Sequence, residues 1–460
     1  MTSRHIAVID IGKTNAKLAL VRQSDLSEVA VVKRPNTVLP GPPYPHFDVE
    51  GHWDFILNGL TQFQSEHGVD AITVTTHGAA GALIAKDGSL AAPILDYEHA
   101  IPDACAAAYD AVRPPFSVTG SPRLSMGLNL GAQFHWQFAT NPDLKDRVTQ
   151  VVTYPQFWAH RLTGVFATDV TSLGCHTDLW NPYEARFSSL VETLGIEDRI
   201  APPRRPEDVL GLITAEIARR TGLPSATPVH CGIHDSNASL LPHLAAREPP
   251  FSVVSTGTWV IAMAVGGAPV TLDPARDTLI NVNALGKAVP SARFMGGREH
   301  DLLLGGSPAE VNNEDMQHVL SRSSMLLPSV VPETGPFSGR EARWLGGEPP
   351  LGSGQRSAAV GFYLALVTAR CLELIGHEGP VIVEGPFAGN AAYLTMLGVA
   401  SSSPVVPTES ATGTSQGAAL PASSGDFQPR QMPALPMPDE QVRDACSSYA
   451  REWNDLLPEV

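Results

Sequence analysis

HIAVIDIGKTNAKLAL, residues 5–20, decides how the rest of the chain is read. An unbroken apolar run, Ile6–Ile9, ends at Asp10, and Gly12, Lys13, Thr14 and Asn15 then supply turn residues. Apolar and polar positions alternate again through Ala16–Val21, and Glu28–Arg34 adds a third β-rich run. Short turns between three such runs predict an antiparallel meander. Residues 51–67, GHWDFILNGLTQFQSEH, carry apolar positions at helical spacing, and VDAITVTTHGA at 69–79 reads as a strand entering a small-residue turn. ALIAKDGSLAAPIL at 82–95 predicts a hairpin, because Asp87-Gly88 favours a tight two-residue turn. Strands alternating with helices make this an α/β chain.

From Asp103 to about Leu223 the pattern weakens to helices joined by Pro-rich links such as APPRRPEDV, before TPVHCGI at 227–233 restores a buried strand. REPPFSVVSTGTWVIAMAV, 247–265, then repeats the plan of the N-terminus: β run, Ser/Thr/Gly turn, β run. That echo predicts a second domain starting near residue 248, so the expected division is 1–247 and 248–460. Two domains also suit a chain of 460 residues, too long for one core. A long apolar helix (357–376), a strand and turn (379–390), a Gly-led helix start (411–424), a Pro-rich tail from about Phe427 and an amphipathic closing helix (439–457) complete the outline.

The net charge of −16 argues against nucleic acid and anionic membranes as partners, since both ask for a positive surface. Five widely spaced cysteines with no CxxC fit a reducing compartment, with neither a disulfide framework nor a zinc site. The first residues lack a signal-peptide pattern, and no apolar run approaches the ~20 residues of a membrane helix, so the expected location is the cytoplasm. Neither GxxxxGK[ST] nor HExxH occurs in the chain.

Two turns could hold phosphate. Asp10, Gly12, Lys13 and Thr14 offer backbone N–H groups, close approach, a hydroxyl and a carboxylate for hydrated Mg²⁺; Thr256, Gly257 and Thr258 repeat the device. Each alone also reads as plain hairpin chemistry. CGIHDSNASLL, 231–241, sets Asp235 at the end of a strand and the start of a helix, where it can be a helix cap or a proton acceptor.

DIGKTNAKLAL, GIHDSNA and STGTW together resemble the FGGY carbohydrate kinases, of the actin/hexokinase/heat-shock-ATPase superfamily. ALIAKDGSLAAPIL, LTGVFATDVTSLG, VIVEGPFAGNAAYL and TGTSQGAAL are similar to further segments of that family, in its order, and cover nearly the whole chain. GIHDSNASLL and VVSTGTWVI look closest to its rhamnulokinase side. The resemblance implies two actin-like (ribonuclease H-like) α/β domains with ATP and sugar in a cleft between them, and a homodimer as a plausible assembly. It implies that Asp235 is the general base. Asp10, Gly12, Lys13, Thr14, Thr256, Gly257 and Thr258 would bind phosphate, with Asp10 reaching Mg²⁺ through water. Gly385, Pro386, Phe387 and Asn390 would contact adenosine, and His77, Gly78, Glu98 and His234 the sugar; His234 equally suits packing. The implied activity is ATP-dependent phosphorylation of a ketose or deoxyketose of the L-rhamnulose or L-fuculose kind. A superfamily ATPase or a silent sugar-binding regulator are the rival expectations.

Three departures fall in binding segments, the first bearing on the sugar, the second on nucleotide preference and the third placing a cation beside the phosphates or in solvent. Asp96-Tyr97-Glu98-His99-Ala100 lacks the Trp and Arg of the family's W-x-D-x-R; Gly385-Pro386 stands for Gly-Gly; Lys13 replaces a small residue.

Overall fold

The computed structural model describes residues 4–101, 103–408, 413–423 and 432–457, with Asp103 described by its backbone alone. Residues 411, 412 and 424 of the expected Gly-led helix, and the start of the tail near Phe427, lie outside these. The chain forms two compact units: Met1–Ala246 with Ile280–Ala288 and Thr412–Pro429, and Arg247–Leu279 with Val289–Ala411 and Arg430–Val460.

In the first unit, strands His5–Ile11, Asn15–Arg22 and Glu28–Pro35 form the expected antiparallel meander, with Asp10 opposite Lys17. On its other edge His5–Ile11 pairs in parallel with Ala71–Thr76, all six of whose residues are buried, as a central strand covered on both faces requires. The helix Val49–Glu66 connects them, opened by Asp48, whose side chain accepts from the Gly51 N–H. Trp53, Ile56, Leu57, Leu60 and Phe63 of this helix join Ala16, Leu18 and Leu20 in one buried cluster. Pro228–His230 and Ile233–His234 also pair in parallel with Ala71–Thr76, so Asp235 begins its helix directly beyond the sheet.

The second unit repeats the arrangement. Phe251–Thr256 pairs antiparallel with Val260–Val265, which pairs antiparallel with Ala288–Phe294; on the other edge Phe251–Thr256 is parallel to Val381–Glu384, and that strand to Val405–Pro407. The helix Gly354–Leu374 lies in this unit's core, together with Tyr393, Met396, Tyr449 and Trp453. By length and composition it could cross a membrane, contrary to the expectation that no run is long enough; its most apolar window is 78% buried, which accounts for its apolar character.

The 82–95 hairpin is only partly formed. Ser89 bonds Asp87 through N–H and Oγ, and Ala91 N–H reaches Leu83, but the second arm contributes a single bridge at Leu90. Gly81–Ala85 pairs instead with Val148–Thr153, a β-branched partner without the proline of LAAPIL.

One close contact braces the Asp235 helix. Pro242 has no N–H to give the Ala238 carbonyl one turn back, and the helix Gly413–Ala419 packs against that carbonyl. A Cβ on Gly417 would stand 1.7 Å from the Ala238 oxygen. Because the neighbour is backbone, Gly417→Ala should cost about 3 kcal/mol or more, at the upper end of overpacking penalties. A lowered denaturation midpoint with unchanged m-value is the expected reading.

Candidate functional site

Asp235 occupies the first position of the helix Asp235–Ala246. Its Oδ1 accepts from the N–H of Ser236 at 2.6 Å, the adjoining residue, and not from an N–H two or three residues on as a cap does. A third of its side-chain surface is exposed, so the carboxylate can meet a ligand. The backbone beneath it is fixed by a buried relay. Asp169 accepts from the N–H groups of Thr171 (2.7 Å) and Ser172 (3.2 Å) and from the Thr171 hydroxyl, and Thr171 Oγ1 in turn accepts from the His234 N–H at 2.9 Å. The LTGVFATDVTSLG stretch therefore holds the strand end that carries Asp235, a task its sequence did not disclose.

His234 is 4% exposed, with Nε2 3.4 Å from Asp235 Oδ1. Burial opposes charge on this ring, but Cys175 and Asp235 more than offset it and push its pKa up to about 10. Burial likewise raises the Cys175 thiol, while His176 and His234 outweigh it and bring it down to about 5. Gly78 makes room for this pair: a Cβ there would lie 2.6 Å from His234 Nε2 and 3.6 Å from Cys175 Sγ.

His77 follows the central strand, its N–H bonded to the Ile11 carbonyl at 2.9 Å. Burial lowers its pKa to about 4, so the ring is neutral at pH 7. Nδ1 lies 2.8 Å from the Gly78 carbonyl and must carry the proton, which leaves Nε2 an acceptor; it has no hydrogen-bond partner among the described residues. Phe47, Tyr97 and Tyr154 surround the ring at centroid distances of 4.9, 5.4 and 5.2 Å. Of these, only Tyr97 lies in a segment the sequence singled out, Asp96–Ala100; Phe47 and Tyr154 come from separate segments and were missed.

The Gly12 turn is closed by Gly12 N–H to the Asn15 carbonyl (2.9 Å) and pinned by Asn36, whose Nδ2 donates to the Gly12 carbonyl at 2.8 Å. Gly12 is partly exposed and Thr14 exposed. Lys13 belongs elsewhere: its ammonium pairs with Asp96 and, at 3.3 Å, with Glu98. Asp10 keeps its carboxyl largely buried, 3.7 Å from Lys17 Nζ, which also pairs with Glu28 at 3.2 Å. Burial raises the Asp10 pKa to about 6, with Lys17 opposing and Asp235 adding to the rise. One such carboxylate, with no group of three metal-ligating side chains among the described residues, suits a cation held mainly by water and phosphate oxygens rather than a protein cage.

In the second unit Gly257 and Thr258 form an exposed turn, closed by Gly257 N–H to the Trp259 carbonyl at 2.9 Å. Thr256 is buried and its hydroxyl is already engaged: it donates to the Glu384 carbonyl (2.6 Å) and accepts from the Phe387 N–H (3.0 Å). It thus ties this turn to the 385–390 loop. Gly385, at φ +83°, presses against the Thr256 carbonyl, where a Cβ would come within 2.0 Å. Pro386 begins the 3₁₀ turn Pro386–Gly389, a position that needs no N–H, so the proline is accommodated without loss. The Phe387 ring is 5% exposed and packs on Tyr393, and Asn390 caps the helix Ala391–Ala400 by accepting from the Tyr393 N–H. Gly385, Pro386 and Gly389 remain as the exposed rim.

Comparison with known proteins agrees with this arrangement. Residues 5–242 match the N-terminal domain of the FGGY family of carbohydrate kinases, and residues 248–430 the C-terminal domain of carbohydrate kinase FGGY. A crystal structure of a carbohydrate kinase from Novosphingobium aromaticivorans superposes with a TM-score of 0.92 at 34% identity, covering 99% of both chains. Xylulose kinase from Rhodospirillum rubrum shares the fold at 20% identity (TM-score 0.79, 98% of each chain). L-Fuculokinase of Escherichia coli K12 is 28% identical over 278 residues, 57% of this chain, and the match spans only 57% of that relative's own length. Two repeated phosphate-type turns, an accessible carboxylate at a strand–helix junction and both family domains lead to one assignment: the chain belongs to the FGGY family of carbohydrate kinases.

Proposed function

We propose that the protein transfers the terminal phosphoryl group of ATP to a hydroxyl of a neutral ketose or 6-deoxyketose. The observation that carries this reading is the accessible Asp235 carboxylate, held by the Asp169–Thr171–His234 relay. Phosphoryl transfer asks chiefly for positioning and charge stabilisation, with one group to take the acceptor's proton. Asp235 accepts that proton as the hydroxyl oxygen attacks phosphorus. Phosphate oxygens are bound by the Gly12 turn through the N–H groups of Lys13 and Thr14, since that of Gly12 already closes the turn. Bound Mg²⁺ would neutralise phosphate charge, with Asp10 reaching it through water. His77 Nε2 orients a sugar hydroxyl that donates to it. Similarity to L-fuculokinases supports a deoxyketose acceptor.

ADP release with Mg·ATP is the test, measured against ketopentoses, ketohexoses and 6-deoxyketoses with a no-sugar control. One sugar well above the control is expected. Equal hydrolysis with and without every sugar would replace the kinase by an ATPase.

A further inference from the structure

Lys13 stands in a phosphate-type turn, yet its side chain leaves that turn for the aromatic cluster around His77. The ammonium lies 4.6 Å from the Tyr97 ring centre and 5.4 Å from that of Phe47, both of which also flank His77. Asp96, 5% exposed, and the exposed Glu98 are its ion-pair partners. A buried carboxylate needs its counter-charge, so Lys13 cannot swing toward a phosphate without stranding Asp96. An ammonium carries three donors, and the two carboxylates use two of them. Nearby, the buried His77 Nε2 has no partner among the described residues and can only accept.

We propose that Lys13 is the acceptor-specificity residue of this kinase: it donates to a sugar hydroxyl whose own or neighbouring proton goes to His77 Nε2, over the face of Tyr97. The inference rests on the kinase reading above. It also names the acceptor class as an uncharged polyol. Asp10, Glu28, Asp96, Glu98, Asp235 and the Cys175 thiolate outnumber Lys13, Lys17 and the charged His234 ring, so a sugar acid would bring one more negative charge to a group of side chains that already carries an excess.

The experiment compares wild type with Lys13→Met, using the best sugar of the panel and an aldonate of the same carbon number. Lys13→Met is expected to raise KM for the sugar tenfold or more, with KM for ATP within twofold and kcat within threefold; the aldonate should be at least a hundredfold poorer than the sugar for wild type. A rise in KM for ATP with sugar KM unchanged would make Lys13 a phosphate ligand and overturn the proposal, as would unchanged constants throughout. Should Lys13→Met fail to fold, Lys13→Met/Asp96→Asn removes both charges of the pair and is read in the same way. Wild type inactive with every acceptor would defeat the kinase reading itself; an active wild type with an indifferent Lys13 would defeat only this inference.

Discussion

Asp235→Asn is expected to lower sugar-dependent ADP release by about 10²–10⁴-fold, the range a positioned general base contributes. The substitution keeps the shape and the Oδ1 acceptor for Ser236, so the helix start should survive. What it removes is the basic carboxylate, together with the counter-charge 3.4 Å from His234 Nε2. Sugar and nucleotide binding, measured by calorimetry, should change far less than turnover. If turnover is unchanged, Asp235 is an ordinary first-turn acid and the proton leaves by another route.

Asp10→Asn should separate stability from activity. In the folded protein burial raises the Asp10 pKa from 3.8 to about 6. The native state therefore holds this proton more firmly than the unfolded chain does. Below about pH 3.8 both states are protonated and nothing is lost; between there and pH 6 stability falls as pH rises; above pH 6 the full cost of a buried carboxylate is present. That displacement corresponds to roughly 3 kcal/mol. Asparagine escapes it, and Lys17 keeps Glu28 as a partner. Asp10→Asn should thus melt several degrees higher than wild type at pH 8, with the two curves converging near pH 4, while kinase activity at pH 8 is lost. Equal melting at both pH values would show that the site bears no such cost.

The two meanders, the turns at Gly12 and Gly257 and the placement of Asp235 were legible because each depends on neighbours within a few residues. Periodicity and turn chemistry report such local choices directly. The ion pair of Lys13 was not legible for the opposite reason: its partner Asp96 is 83 residues away. Thr256 looked like a phosphate-binding hydroxyl, but its partner Phe387 is 131 residues on. Phe47, Tyr97 and Tyr154 meet around His77 only because the sheet and its helices bring three segments to one end. The Gly354–Leu374 helix was legible as a helix from its length and apolar run, and its burial in the core accounts for its being apolar all round.

The excursion of Ile280–Ala288 and Thr412–Pro429 into the first unit has a consequence for how the protein is made. Ala284, Ala418 and Ala419 share a buried cluster with Ile6, Val8, Ile233 and Ala238. On the ribosome, the strand His5–Ile11 must therefore wait for Ala418 and Ala419, made only after residues 289–411 of the second unit, before its far side is covered. Until then one face of the nascent sheet stays open to solvent, and synthesis of the intervening unit sets the moment at which the first unit can close.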